Sequence, residues 1–279
     1  MNSPTKSKGV LIYAKNNPDF NYVKQASVAA AMAKYYLGVP VALITDKNEL
    51  TDDVSQFDYV VDWKSSVEHT INKRPFYFDG KAKLINWHNL DRLTAYELSP
   101  FEETILIDSD YLIQNNVLNE VWGSNTPLMM NTNTRLPSML QEHVYELVVA
   151  DGFPRVHWFT VLYFNKSIQS ENWFKTAKFV KDNYDFYKLT FHIPYSYFRN
   201  DMVAAVASHI CGGMEDGFMK PLPVQQINSY PPDEILEVNK GCITLATESW
   251  PVRLDQHNVH IVNKGQIEKH YDRFMELYT

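Results

Sequence analysis

Ile105-Leu106-Ile107-Asp108-Ser109-Asp110-Tyr111-Leu112-Ile113 (ILIDSDYLI) is the stretch on which the reading of this chain turns. With Thr104 in front, residues Thr104–Ile107 form a short strand with no polar alternation, and it runs straight into two carboxylates one residue apart. A strand of that kind is covered on both faces, as in a parallel α/β sheet. Such sheets bind ligands just outside the carboxyl ends of their strands, which is where Asp108 and Asp110 stand. Two carboxylates so close repel one another and resist ionisation unless positive charge shares the site. A hard divalent cation, Mn²⁺ or Mg²⁺, supplies that charge and takes carboxylate and phosphate oxygens together. Asp and Ser are also ordinary residues of a strand-end turn, so the pair alone leaves both readings open.

Outward toward the N-terminus, the pattern is strand, helix, strand. Gly9–Ala14 (GVLIYA) is a buried strand followed by the turn-prone KNNPD. Phe20–Leu37 places Val23, Ala26, Ala30, Ala33 and Tyr36 at helical spacing and stops at Gly38. Val39–Thr45 (VPVALIT) is the next strand, and Tyr59–Trp63 a third. Short loops between them imply parallel pairing with a right-handed crossover. Lys81–Leu98 reads as a helix interrupted before Pro100. Beyond the central stretch, Pro127–Asn131 and Phe159–Phe164 are strand candidates, and Glu171–Phe186 and Asn200–Ile210 are helices, the second ended by Gly212-Gly213. After Pro221 the chain reads as irregular up to a strand at Gly241–Ala246, then a strand at Val259–Val262 and a helix over Gln266–Tyr278. No repeat, linker or low-complexity tract divides it. The expectation is α/β: one Rossmann-like domain spanning 1–279, with a mixed central sheet, parallel in its first half, and helices on both faces.

Composition narrows the function classes. Of 279 residues, 45% are apolar and 21% charged, enough for a sizeable core. The net charge is −7 with no basic run, which removes the electrostatic footprint of a dedicated nucleic-acid binder. Two cysteines, Cys211 and Cys242, make neither a disulfide framework nor a zinc site and fit a reducing cytosol. The polar opening MNSPTKSKG is unlike a signal core, and no stretch reaches the length of a membrane span, so the expected location is cytoplasmic. Aromatic residues are abundant at 14%, and Tyr184–Phe198 (YDFYKLTFHIPYSYF) is the densest run, read as packing against the sheet or as an acceptor groove. The phosphate-cradling Gly-x-x-x-x-Gly-Lys loop of P-loop enzymes is absent.

A second chemical feature lies near the end, HNVHIVNKG at His257–Gly265. The His260 imidazole can complete a carboxylate-rich site for Mn²⁺. Lys264, four residues on, can set an ammonium against a phosphate. Each alone reads first as an ordinary hydrogen-bonded or solvated side chain.

Taken in order, these residues resemble the family 8, glycogenin-like retaining glycosyltransferases of GT-A fold. Asn21-Tyr22 after the first strand is similar to the family's nucleotide-contacting Tyr, and Arg92, sixteen positions before Asp108, to its sugar-nucleotide-contacting Lys or Arg. Asp108-Ser109-Asp110 resembles its metal-binding Asp-x-Asp, and His260 and Lys264 resemble its late metal-binding His and diphosphate-contacting Lys. Three places depart from the family pattern. Trp158-Phe159-Thr160-Val161 stands where the family has Asn-x-Gly. Arg199-Asn200-Asp201 carries the Asp of an Asp-Gln pair but no Gln, and Asn263-Lys264-Gly265 keeps part of Gly-x-x-Lys-Pro-Trp.

The resemblance implies metal-dependent transfer of a sugar from a UDP-sugar to an acceptor hydroxyl, with retention. The metal ligands would be Asp108, Asp110 and His260. Tyr22, Arg92, Asp108, Ser109 and Lys264 would contact the donor, and residues 1–113 would form the nucleotide-sugar half. Residues 114–279 would supply the acceptor side and the late metal and diphosphate segment. Arg92 and Asp201 would be catalytic, Asp201 facing the oxocarbenium-like carbon to stabilise it or form a covalent intermediate. Asp201 also reads as a helix first-turn acid with Asn200 as the cap, and Tyr22 as core. The acceptor could be a glycan, a small molecule or a modified nucleic acid. The competing readings are a glycosyltransferase acting on hydroxylated DNA bases, a sugar-nucleotide nucleotidyltransferase, and a binding module that lost the chemistry. The nucleotidyltransferase needs a Gly-rich loop after the first strand, where KNNPDF stands.

Overall fold

The computed structural model describes residues 7–48, 50–63, 72–78, 81–87, 89–139, 145–146, 154–193, 198–215 and 217–279. The expected opening unit forms as β1 (Lys8–Tyr13), α1 (Tyr22–Leu37), β2 (Val41–Thr45) and β3 (Tyr59–Asp62). The strands are parallel, with Val10 opposite Val41 and Ala42 opposite Tyr59. Asn21 caps α1, its side chain accepting from Lys24 N–H at 2.7 Å. Gly38 closes it at φ 64°, a left-handed conformation that favours glycine.

The next segment differs from the expectation. Lys81–Leu98 reads as helix, yet β4 (Asn72–Phe78) and β5 (Lys81–Trp87) form an antiparallel hairpin. Helical backbone begins only with a 3-10 turn at Asn89–Thr94, followed by α2 (Ala95–Leu98). The cause is the partner strand: ladder pairing along all seven residues outweighs a helical pattern without a strong apolar stripe.

The chain continues through β6 (Glu103–Ile107), β7 (Tyr111–Leu112), β8 (Leu128–Met129), β9 (Asn133–Arg135), β10 (Tyr145–Glu146) and β11 (Val161–Asn165). Three helices follow, α3 (Ile168–Asp182), α4 (Tyr184–Thr190) and α5 (Asn200–Cys211). The single helix expected over Glu171–Phe186 is therefore two, broken at Asn183, and α5 is capped at Arg199 rather than Asn200. Of the aromatic run, Tyr184 and Tyr187 pack toward the core while Phe186 and Leu189 are exposed. Residues 194–197 of that run lie outside the described residues.

The tail expected to be irregular contains β12 (Gln226–Ile227) and a meander of β13 (Glu234–Asn239), β14 (Cys242–Ala246) and β15 (Pro251–Asp255). Then come β16 (Val259–His260), α6 (Gly265–Lys269) and α7 (Tyr271–Tyr278), the last helix being interrupted at His270.

The central sheet has the order β3-β2-β1-β6-β11-β8. It is parallel from β3 to β6, while β11 runs antiparallel to β6 and to β8. The mixed sheet with a parallel first half is thus as expected. Both faces are covered, which is why the strands lack polar alternation. Leu11, Leu106, Leu162 and Phe164 pack with α3 and α5. Val10, Ile12, Ile105, Ile107 and Val161 pack with α1 through Ala26, Ala30 and Ala33. Each fully buried Leu or Ile contributes about 1.5–3 kcal/mol, so the sheet is a rigid base for whatever leaves its edge. A third cluster joins the meander to α1 and α7.

Candidate functional site

Three short connections bring distant residues to the carboxyl edge of β6. Asp108 N–H donates to Thr160 O at 3.0 Å, carrying the β6–β11 ladder one step past the strand. Tyr111 N–H then donates to Asp108 O at 3.1 Å, closing a turn that returns Asp110 beside Asp108. β7 pairs with β16, placing His260 opposite Tyr111, and Ile261 N–H donates to Asp110 O at 2.9 Å. A two-residue ladder thus delivers side chains 154 positions apart, Asp110 and Lys264, to one point.

The atoms offered by Asp108, Asp110 and His260 lie within 4.8 Å of one another. His260 Nε2 is 3.2 Å from Asp110 Oδ1 and 3.9 Å from Asp108 Oδ2. Donors sharing one octahedral ion at about 2.1 Å stand roughly 3 Å apart when adjacent and about 4.2 Å when opposite. The spacing and the two-carboxylate, one-imidazole donor set fit a single divalent ion.

Two cations flank the acids. Arg92, from the 3-10 turn before α2, is only 2% exposed. Its Nη1 pairs with Asp108 Oδ1, its Nη2 donates to Thr160 O at 3.5 Å, and its guanidinium lies 4.9 Å over the Phe159 ring. Lys264 pairs with Asp110 Oδ2, and its Nζ sits 5.2 Å from the ring centre of Tyr22, the first residue of α1. Ser109 is buried between the two acids.

The electrostatics separate the carboxylates. Burial pushes Asp110 upward, but the Lys264 ammonium is the largest opposing influence, and the carboxyl lies well below the usual range. Burial also pushes Asp108 up, and Arg92 offsets only part of that while Asp110 adds to it. Burial works against the Lys264 ammonium, but the Asp110 carboxylate raises its pKa overall. Asp110 and Lys264 are therefore both charged at neutral pH.

Asp201 stands in the first turn of α5. Its Oδ1 accepts from Phe159 N–H at 3.0 Å, and its Oδ2 from Arg199 Nε at 3.2 Å and Nη2 at 2.7 Å. Arg92 and Asp201 thus meet at Phe159, one over its ring and the other at its backbone.

The structure gathers Asp108, Asp110, His260, Arg92, Lys264 and Tyr22 into one linked set and brings Asp201 to it through Phe159. Asn228 and Glu268 were not anticipated from the sequence, and Phe159 and Arg199 stood there only as departures from the family pattern, with no role of their own. Glu268 Oε1 accepts from Asn21 N–H at 3.0 Å and Gln25 Nε2 at 2.9 Å, docking α6 onto the start of α1. Its place one helical turn after Lys264 was a usable signal. Asn228 carried none, because long-range pairing alone makes it a neighbour of the site.

No protein-family model matches the chain, and no curated protein matches it in sequence. Among solved structures the chain is similar to the glycosyltransferase GlyE of Streptococcus pneumoniae TIGR4, at 11% identity and TM-score 0.40, over 78% of this chain and 45% of GlyE. It therefore spans less than half of GlyE. It is also similar to galactosyltransferase LgtC in complex with donor and acceptor sugar analogues, at 13% identity and TM-score 0.42, over 71% of this chain and 70% of LgtC. A third likeness is to mouse xyloside xylosyltransferase 1, at 9% identity and TM-score 0.42, over 77% of this chain and 84% of that one. Among the described residues, no helix is long and apolar enough to cross a membrane.

Proposed function

We propose that this chain is a GT-A, metal-dependent glycosyltransferase that moves a sugar from a UDP-sugar to an acceptor hydroxyl with retention. In this reading 1–279 act as one domain, with 1–113 holding the donor and 114–279 forming the acceptor side and the closing segment. The observation that carries it is the convergence of Asp108, Asp110 and His260 to within 4.8 Å, with Arg92 and Lys264 on either side.

Charge arithmetic supports a diphosphate ligand. With Asp108 ionised against a bound dication, Asp108 and Asp110 are balanced by Arg92 and Lys264, and the dication leaves an excess of two positive charges. A nucleoside diphosphate linked to a sugar carries about that much negative charge on its phosphates. Asp108, Asp110 and His260 would hold Mn²⁺ or Mg²⁺, which when bound would supply Lewis-acid neutralisation of the departing diphosphate. Arg92 and Lys264 present fixed positive charge where negative charge grows, and Asp110 and the Tyr22 ring keep Lys264 in place. Tyr22 offers the base or ribose a ring, and Ser109 contacts the donor from between the acids. Asp201 is the carboxylate set toward the oxocarbenium-like carbon, pre-oriented by Arg199 and Phe159 N–H.

Thermal unfolding with UDP, UDP-sugars and other nucleotides, with and without Mn²⁺, tests the reading. UDP should raise the melting point only when Mn²⁺ is present, by an amount corresponding to about 2.7 kcal/mol at 100 times Kd. Asp110→Asn should abolish that shift and all UDP-sugar turnover while the protein stays folded. Undiminished turnover in this variant, or no nucleotide effect in the wild type, defeats the assignment.

A further inference from the structure

We propose that Asn228 is a positioning residue that fixes the tautomer of His260, presenting its bare Nε2 to the ion. The inference rests on the metal reading of Asp108, Asp110 and His260. The Gln226 backbone carbonyl can only accept. Thr134 Oγ1 lies 3.3 Å from Gln226 O, so its hydroxyl hydrogen points there and its oxygen is left as an acceptor. Facing that oxygen at 2.9 Å is the Asn228 amide, which must turn its Nδ2 to it. Asn228 Oδ1 therefore points the other way, where it accepts from Gln226 Nε2 at 2.8 Å and meets His260 Nδ1 at 3.2 Å.

An amide oxygen gives His260 Nδ1 no choice but to carry the proton. In the neutral ring the lone pair is then on Nε2, the nitrogen 3.2 Å from Asp110 and 3.9 Å from Asp108. A lone pair aimed at two carboxylates is unfavourable by itself and is what a shared cation requires. Histidine ligands elsewhere are set in this way, with the remote N–H tied to an oxygen acceptor. The backbone holds Asn228 just as firmly. Residues 228 and 260 form a bridge, Asn228 N–H donates to Arg135 O at 3.0 Å, and Ser229 N–H donates to His260 O at 2.9 Å. Asn228 is 8% exposed, so water does not compete freely for the contact.

Two measurements test the proposal. The first is ¹⁵N NMR of histidine-labelled, metal-free protein, recorded on the alkaline plateau where the ring signals no longer move with pH. His260→Gln assigns the signal among the nine histidines. Wild type should show His260 protonated on Nδ1, and Asn228→Leu should lose that preference. The second is calorimetric titration with Mn²⁺ alone, in which Asn228→Leu should bind about 10- to 100-fold more weakly. Asn228→Asp, whose carboxylate accepts the same N–H, should restore both the tautomer and the affinity. A wild-type ring protonated on Nε2, or equal Mn²⁺ affinity in Asn228→Leu, overturns this inference and leaves the metal reading standing. A wild type that does not bind Mn²⁺ overturns both.

Discussion

Arg92 illustrates how a single residue can be tied down from several sides. A carboxylate, a carbonyl and an aromatic face all engage one guanidinium that is almost wholly buried. Lysine cannot reproduce this, because only a planar fork donates in two directions while lying flat on a ring. Removing the cation leaves Asp108, 22% exposed, beside the Asp110 carboxylate without its main counter-charge. Arg92→Met should therefore cost about 2–3 kcal/mol of stability, somewhat less than the ~3–5 kcal/mol of a fully buried pair because water reaches Asp108. Adding Asp108→Asn removes the stranded charge, so the double variant should be more stable than the sum of the single losses predicts. Urea denaturation of the four proteins measures the coupling, and strictly additive values would mean the two side chains do not interact.

Elements were legible where their signal was local. β1, α1, β2 and β6 each carry an apolar run or a helical stripe with a clear stop, and Gly38 marked the end of α1 to the residue. The hairpin at Asn72–Trp87, the meander strands β13 and β15, and the breaks at Asn183 and His270 are set by what each segment pairs with or packs against, which periodicity does not report. The site divides the same way. Asp108, Asp110, His260 and Lys264 stood out as residue types in order, whereas Phe159 gained its place only when β11 closed on β6. That placement gives Asp201 two separable tasks, holding Phe159 N–H and presenting negative charge. Asp201→Asn keeps an oxygen for the N–H but loses the charge, so kcat should fall while KM and Mn²⁺ affinity stay near wild type. Asp201→Ala loses both, and freeing the Phe159 loop beneath Arg92 should also raise KM. The loss of one buried backbone hydrogen bond corresponds to about 1 kcal/mol, roughly a fivefold change. Identical kinetics for the two variants would mean that the contact to Phe159 does not support the site.

At the scale of the whole molecule, the last twenty residues close the architecture on itself. β16 supplies His260, α6 brings Glu268 to the start of α1, and α7 packs Phe274 and Tyr278 into the cluster shared by α1 and the meander. The corner between α6 and α7 is His270, whose Nε2–H donates to Ile235 O at 2.9 Å and locks the corner to β13. That contact needs a donor, which the neutral ring already provides, and burial together with neighbouring Lys269 holds the pKa below its ordinary value of about 6.5. The sign of the pH effect follows. Below about pH 6.5 the unfolded chain takes up a proton at His270 that the folded chain refuses, so folding weakens as pH falls toward the lowered folded value, and above about 6.5 the contribution is fully present. His270→Gln keeps an amide N–H for the carbonyl and cannot titrate. Urea midpoints measured from about pH 7.5 down to about pH 5 should therefore decline more steeply in the wild type than in His270→Gln, with the gap opening below about pH 6.5. Parallel pH profiles for the two proteins would show that His270 binds protons alike in the folded and unfolded states.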